Sequence, residues 1–206
     1  QKEHIPLISL TVPRNLTCYA MRHKYETPCI VLARTPLGEA NALLTLLTRE
    51  VGLLRARAQG LRKPGAKLAP ALTTLAESDV VLVRGIEGWR ISGAVLTAPR
   101  FKEIGALSRI RAARVAELLV RLVPGEEADP RLFHIFAGFL ATLVDQEEPE
   151  HDAAECLAVL QILSVLGLDS GELPHGAYSP TTLQEVREQR PSLIMRISRG
   201  IAASGL

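Results

Sequence analysis

Seven basic side chains fall within residues 34–67, and their types and spacing point most clearly to chemistry. They are Arg34, Arg49, Arg55, Arg57, Arg62, Lys63 and Lys67, against two acidic residues, which leaves a net charge of +5. Lysine and arginine bind phosphate groups by charge, and arginine adds a bidentate hydrogen-bonding geometry. The segment therefore predicts a surface that binds a polyanion such as nucleic acid, with a solvated face that binds nothing as the alternative.

Sequence patterns typical of catalysis are missing from the chain. It contains no Gly-x-Ser-x-Gly, no His-x-x-x-His and no Gly-x-x-x-x-Gly-Lys-Ser/Thr. These patterns mark a serine nucleophile, a zinc-binding histidine pair and a nucleotide-binding loop, respectively. We therefore predict that the chain is not an enzyme and that it uses no cofactor.

Cysteine and acidic residues give little support for a metal site. The three cysteines lie far apart and form no Cys-x-x-Cys pair, which favours a cytoplasmic protein without a disulfide framework. Asp169, Glu172 and His175 lie in one predicted loop and have the right chemistry for a metal ion. Loops with such isolated acidic residues are common, so no metal is predicted.

Charge is divided unevenly along the chain, although the 206 residues together carry only +2. Residues 1–123 hold 19 basic and 9 acidic side chains, a net of +10. Residues 124–206 hold 5 basic and 13 acidic side chains, a net of −8. This asymmetry indicates two surfaces with different partners, and two ordinary solvated surfaces are the alternative.

From Thr27 to Ala98 the hydrophobic period is near two, which predicts strands at 29–34, 42–48, 53–59, 75–84 and 89–96. In the third, Leu54, Ala56 and Ala58 alternate with Arg55, Arg57 and Gln59, which places two arginines on one face. Gly52 suits the hairpin before it, because glycine takes positive φ at low cost. Five short antiparallel strands fit a small closed barrel, with the OB-fold as the leading candidate and an SH3-like barrel as its rival.

Arg84 and Trp89 complete the candidate binding set, because they end the fourth predicted strand and begin the fifth. An exposed tryptophan there would stack on a base, but the favoured interpretation places Trp89 among the buried aromatics at the barrel rim. Aromatic residues make up 4% of the chain. We therefore expect binding that is led by the nucleic-acid backbone and sensitive to salt.

After Pro99 the period becomes 3.6, which predicts helices. The first predicted helix ends before Pro124, and the second starts at the N-cap Asp129 and runs to Val144. After a break at 147–150, the third predicted helix spans 153–166. Ser179 caps a short helix, and a basic segment at 193–203 follows. The predicted fold is α+β, a five-stranded OB-fold barrel at residues 25–98 followed by an all-α helical bundle at 101–206. Residues 1–24 are expected to form a weakly ordered extension.

The chain resembles the RecO family of recombination mediator proteins. The matching segments are VLARTPLGEAN at 31–41, LLTREVGL at 46–53 and AQGLRK at 58–63, followed by Lys67-Leu68. Val83-Arg84-Gly85 and Trp89-Arg90-Ile91 continue the match. The resemblance covers residues 25–206 and is specific over 30–91.

The resemblance implies an OB-fold joined to a helical domain in a protein that binds single- and double-stranded DNA and anneals complementary strands. With the partner RecR, such proteins help to load RecA onto DNA coated by single-stranded-DNA-binding protein, whose acidic, apolar tail they contact through the helical domain. The seven basic residues of 34–67 become candidate DNA contacts, and the candidate rim of the tail pocket is Arg109, Arg111, Arg114 and Arg121. The implied location is the bacterial cytoplasm, at the nucleoid. A protein-binding adaptor that does not bind DNA is the alternative.

One departure from the family concerns zinc. Many relatives carry a four-cysteine zinc site after the helix that ends here at 166–168, whereas residues 169–178 of this chain contain no cysteine. We therefore predict no structural zinc, and we expect packing alone, by Leu173 and Tyr178, to hold the loop. The chain also has less of the last basic helix than many relatives. Because Met21 resembles a natural start, residues 1–20 are expected to be an appended extension.

Overall fold

The structure, a computed structural model, describes residues 23–174 and 177–205. Residues 1–22 of the predicted extension lie outside the described residues. The barrel strands are β1 (Lys24–Leu37), β2 (Asn41–Thr48), β3 (Gly52–Ala58), β4 (Glu77–Gly85) and β5 (Gly88–Ala98). A 3-10 helix at Pro70–Leu72 precedes β4. The α-helices of the described ranges are α1 (Arg100–Glu103), α2 (Ala106–Leu122), α3 (Pro130–Asp145), α4 (Glu148–Val165), α5 (Pro180–Glu188) and α6 (Arg190–Ala203).

The strands close into a barrel in the order β1-β2-β3-β5-β4, and β4 pairs with β1. Four pairings are antiparallel, but β3 and β5 run parallel, with Ala56 beside Trp89 and Arg57 beside Arg90. The expectation of a wholly antiparallel barrel was wrong there, because an odd number of strands in a ring cannot alternate direction throughout. The predicted class, an OB-fold barrel followed by helices, is confirmed.

Strand β1 is longer than the predicted 29–34, because prolines do not end it. Pro28 and Pro36 both lie inside the 14-residue strand. Proline has a φ near that of extended backbone and lacks only the N–H donor. Its carbonyl still accepts hydrogen bonds, and Arg49 donates its N–H to the carbonyl of Pro28 at 3.1 Å.

Two apolar cores hold the described part of the chain together. The barrel core fills the interior of the five strands, and its largest members include Leu44, Leu46, Leu72 and Leu82. The helical core joins the helices to the outer surface of the barrel. Its barrel members are Ile30, Leu32, Leu47, Leu53 and Leu75. The division of the chain at residues 98–101 into two domains stays a prediction.

Two predicted helix caps are present. The Asp129 side chain accepts a hydrogen bond from the N–H of Arg131 at 2.9 Å, and α3 begins between them. The Ser179 hydroxyl accepts from the N–H of Thr182 at 3.1 Å at the start of α5. Each cap satisfies one of the N–H groups that have no partner within the helix.

The predicted break at 147–150 was wrong for most of its length. Helix α4 begins at Glu148, and Pro149 lies in its first turn. Proline is tolerated there because its missing N–H has no intrahelical partner at that position. Only Gln146 and Glu147 separate α3 from α4.

A cation, and not packing alone, holds the loop between α4 and α5. Leu173 packs against the helical core, and Tyr178 is largely buried beside it. Arg196 donates to the carboxylate of Asp169 at 2.5 Å and to the carbonyl of Glu172 at 2.9 Å. The expectation of packing alone was therefore wrong, because an arginine of α6 supplies an ion pair and a backbone contact.

Among the described residues, no group of three His, Cys, Asp or Glu side chains is placed to hold a metal ion. His175 of the proposed loop set lies outside the described residues. Burial raises the pKa of Cys29 to about 12 and that of Cys156 to about 11, so both thiols stay protonated at neutral pH. Across 23–174 and 177–205, no helix is long and apolar enough to cross a membrane.

Candidate nucleic-acid interface

Two arginines project from one exterior face of β3, as the alternation predicts. Leu54, Ala56 and Ala58 are buried in the barrel core, whereas Arg55 is exposed and Arg57 is half-buried. Neighbouring side chains on β2 are uncharged, since Arg55 pairs with Thr45 and Arg57 with Leu43. Arg55 and Arg57 therefore supply the positive charge on this exterior surface of β2 and β3.

A third arginine, Arg90, joins this face across the parallel pairing of β3 and β5. It is exposed and lies directly beside Arg57 in the strand register. Arg90 was not among the predicted binding residues. The alternation of buried Trp89 and Ile91 with exposed Arg90 and Ser92 was a signal that it faces outward. Its position beside Arg57, however, follows only from barrel closure.

Loop 59–69 carries three more cations from the end of β3. The loop lies against the β1–β2 turn, because Arg62 donates its N–H to the carbonyl of Ala40 at 2.9 Å and its guanidinium to that of Gly38 at 2.6 Å. Gly60 also donates to the side chain of Asn41 at 2.9 Å. Lys63 and Lys67 are exposed on this loop. We call this set the basic face: Arg55, Arg57, Arg62, Lys63, Lys67 and Arg90.

Among the described residues, one ion pair involves a member of the basic face. Glu87, in the β4–β5 turn, pairs with Arg57 at 3.2 Å, and its side chain is 81% exposed. An ion pair this open to water contributes little to stability. A phosphate group would therefore replace Glu87 at Arg57 at small cost.

Three predicted binding residues do not share the outer face of β3 with Arg55 and Arg57. Arg34 pairs with Leu44, which points into the barrel. Arg55 and Arg57 pair with positions of β2 that point outward, so Arg34 lies on the opposite side of the sheet from them. Arg49 lies at the tip of the β2–β3 hairpin, where its Nε is 2.6 Å from Glu50. Arg84 is paired with Glu126.

Trp89 lines a cleft of about 630 Å³ together with Tyr25 and Arg84. Its ring is 7% exposed, with Tyr25 edge-on at 5.2 Å and the guanidinium of Arg84 at 4.8 Å from the ring centre. Because so little of the ring is accessible, a base cannot stack on it without a rearrangement of the cleft. Trp89 is therefore not part of the basic face.

The four arginines of α2 divide into two pairs. Arg111 and Arg114 both contact Glu155 of α4 at 2.7 Å, and this bond raises the pKa of Arg114. Arg109 lies over the ring of Phe101, 4.2 Å from its centre. Arg121 is exposed. Three of the four predicted rim residues are thus engaged within the helical part of the molecule, because Arg109 also donates to the carbonyl of Phe101 at 2.9 Å.

Comparison with known proteins agrees with the barrel geometry. Residues 21–103 match the family model described as Recombination protein O N terminal. These residues belong to the RecO family. The matched range includes all five strands, so the whole basic face of this RecO barrel lies inside it.

Relatives extend the match beyond the barrel. A DNA repair protein RecO of Dehalococcoides mccartyi is 33% identical over 130 residues, covering 62% of this chain and 51% of that protein. Another, from Synechococcus elongatus, is 35% identical over 127 residues, with 61% and 48% covered. A third, from Heliobacterium modesticaldum, is 34% identical over 178 residues, with 76% and 62% covered. The chain thus spans about half the length of the first two relatives.

Proposed function

We propose that this chain binds DNA through the basic face and acts as a mediator of DNA repair and homologous recombination. The observation that carries the proposal is the row of Arg55, Arg57 and Arg90 on the outside of an OB-fold barrel. Strands 2 and 3 and the neighbouring loops are the surface through which OB-folds bind oligonucleotides. The names of the relatives, DNA repair protein RecO, support the same role.

Binding by this face is predominantly electrostatic. The six cations lie on two adjacent strands and a loop at the end of β3, and residues 52–69, which carry five of them, include no aromatic residue. Contacts from arginine and lysine to phosphate do not depend on base sequence, so both single- and double-stranded DNA fit. A surface that neutralises two strands also reduces their mutual repulsion, which is the physical requirement for annealing.

The proposal includes the protein partners that the family resemblance implies. The chain would work with RecR to load RecA onto DNA coated by single-stranded-DNA-binding protein. For the acidic, apolar tail of that protein we propose the exposed side of α1 and α2, where Phe101, Leu107 and Ile110 are 41%, 58% and 55% exposed. Arg109 and Arg121 are the cations of this side that α4 does not engage.

The test is a titration of a labelled single-stranded oligonucleotide, followed by fluorescence anisotropy at several salt concentrations. Six phosphate contacts predict a slope of log K against log salt of about −4. The double substitution Arg55→Glu plus Arg57→Glu should weaken binding by about 100-fold or more at low salt and flatten the slope.

The matched control is Arg121→Glu plus Arg199→Glu, which makes the same change in net charge at two exposed helical positions. It should leave most of the affinity in place. An equal loss of affinity in both double variants would mean that net charge, and not the basic face, drives binding. Unchanged affinity in the Arg55→Glu plus Arg57→Glu variant would refute the assignment of the basic face as the DNA-binding surface.

A protein-binding adaptor is the second candidate, favoured by the exposed apolar side chains of α1 and α2. On that interpretation the barrel supports the helices, and the unsubstituted chain has no measurable affinity for either form of DNA near physiological salt. The same titration therefore distinguishes the two functions.

A further inference from the structure

Ile86 is a large apolar side chain that the structure leaves wholly in water. It lies in the β4–β5 turn, and its exposed fraction is 109% of the reference value for an extended chain. The valine of the other tight hairpin turn, Val51, instead packs against the barrel core. Ile86 therefore gains nothing from burial within the described chain.

The surroundings of Ile86 place it beside the basic face. Gly85 and Gly88 pair with each other and close the turn, so the tip is short and well defined. The next residue, Glu87, contacts Arg57 at 3.2 Å, and Arg57 lies beside Arg90 in the strand register. An apolar tip thus adjoins at least two of the cations that are proposed to hold phosphates.

We propose that Ile86 contacts an unstacked base of a single-stranded DNA whose phosphates lie on Arg55, Arg57 and Arg90. The inference rests on the proposed function, and it assigns a base contact that the cations cannot make. In a single strand the bases turn away from the phosphates and expose apolar faces, which an apolar side chain beside a basic groove can cover. A duplex keeps its bases stacked, so Ile86 should contribute little there.

The experiment compares Ile86→Ala with the unsubstituted 206-residue chain on a thymidine oligonucleotide, an abasic oligonucleotide of equal length and a duplex. On the thymidine strand the variant should bind about fivefold more weakly at every salt concentration, because apolar area is lost. The slope of log K against log salt should stay unchanged, since no phosphate contact is removed. On the abasic strand and the duplex, the variant and the unsubstituted chain should bind alike.

Val95→Ala is the matched control. Val95 is 69% exposed on β5, at a position whose partner on β4 is Asp79, away from the basic face. This variant should bind all three DNAs as the unsubstituted chain does. Both positions are on the surface, so thermal unfolding of the variants should match that of the parent chain.

The possible outcomes separate the inference from the function on which it rests. Equal affinity of the Ile86→Ala variant and the parent chain for the thymidine strand overturns the base contact but leaves DNA binding in place. A loss of the same size on the abasic strand also overturns it. Failure of the unsubstituted chain to bind any DNA overturns the proposed function itself.

Discussion

At the scale of single residues, Gly52 shows how the absence of a side chain lets two parts of the molecule meet. It has a φ of 81°, and a Cβ there would lie 2.4 Å from the carbonyl oxygen of Glu127 in the α2–α3 loop. Beside it, Leu53 donates its N–H to the carbonyl of Gly125 at 3.2 Å. The hairpin and the loop therefore touch through their backbones.

We predict that Gly52→Ala destabilises the protein more than Gly38→Ala does. Gly38 also has positive φ, 63°, but a Cβ there meets no atom within 4 Å. Gly38→Ala should cost about 1–2 kcal/mol from the left-handed backbone alone. Gly52→Ala should cost roughly 1–3 kcal/mol more, because the loop backbone must move. Urea unfolding of both variants measures the difference, and equal costs would contradict the close approach.

Leu75 is a second residue whose backbone is special. It is the non-glycine residue with positive φ, 61°, in the described part of the chain. Its N–H donates to the carbonyl of Val31 at 2.8 Å, and its side chain is 2% exposed in the helical core. Burial of a leucine, worth roughly 2 kcal/mol, offsets a left-handed conformation that costs about 1–2 kcal/mol.

At the scale of elements, the ion pair of Arg196 and Asp169 joins α6 to the loop after α4. The side chains are 20% and 9% exposed. The hydrogen bond from Arg196 holds the pKa of Asp169 below its ordinary value. A carboxylate with a lowered pKa in the folded state stabilises the fold above its unfolded pKa, which is about 3.9, and the stabilisation is lost as pH falls through the folded pKa.

We therefore predict that Arg196→Gln lowers the free energy of unfolding by about 2 kcal/mol at pH 7. The difference from the parent chain should shrink as the pH falls below about 4, because Asp169 becomes protonated in both proteins. The control is Arg131→Gln. Arg131 forms an ion pair with Asp129, but its side chain is 69% exposed, so the loss of this pair should change the free energy of unfolding little. Chemical unfolding across this pH range gives the comparison, and a difference independent of pH would count against the ion pair.

At the scale of the whole molecule, the helical core makes the barrel and the helices depend on each other. It contains Ile30, Leu47 and Leu53 from the strands together with Val115 and Leu119 from α2. Apolar contacts that cross between two parts of a chain make their unfolding cooperative. We therefore expect one transition, not separate ones.

We predict that Leu119→Ala, although it is on α2, lowers the stability of the barrel as well. The residue is completely buried, so its truncation should cost about 2–5 kcal/mol. The chain has a single tryptophan, Trp89, which reports on the barrel, while far-ultraviolet circular dichroism reports on the helices. Both signals should shift to the same lower midpoint.

The control for that experiment is Leu107→Ala, on the same helix but 58% exposed, which should change stability by less than about 0.5 kcal/mol. Fluorescence that kept its midpoint in Leu119→Ala while the helical signal moved would show that the two parts unfold separately.

Much of the barrel could be predicted because strand alternation is local. The buried and exposed positions of β3 follow directly from the order Leu54, Arg55, Ala56 and Arg57. The starts of α3 at Asp129 and of α5 at Ser179 could also be predicted from the sequence. The side chain of a capping residue accepts a hydrogen bond from an N–H only two or three residues further along the chain. The predicted bounds left Pro28 out of β1 and Pro149 out of α4, although proline is compatible with both positions.

The candidate site was only partly predictable. Sequence proximity grouped Arg49 with Arg55, but the hairpin places Arg49 beside Glu50 at its far end. Arg90 is 33 residues from Arg57 in sequence and yet lies beside it. Charge clustering along the chain therefore identified five of the six residues of the basic face, whereas the position of Arg90 beside Arg57 depends on barrel closure.

The sequence by itself determined most elements of this protein and the positive charge on the outer face of β3. Hydrophobic period and capping residues act over a few positions, so they specify strands and helices without knowledge of the fold. Only the tertiary structure decided which cations meet and that Ile86 is exposed. Those outcomes depend on the order in which the strands close the barrel and on the helices that cover it, and both arise from contacts between residues distant in sequence.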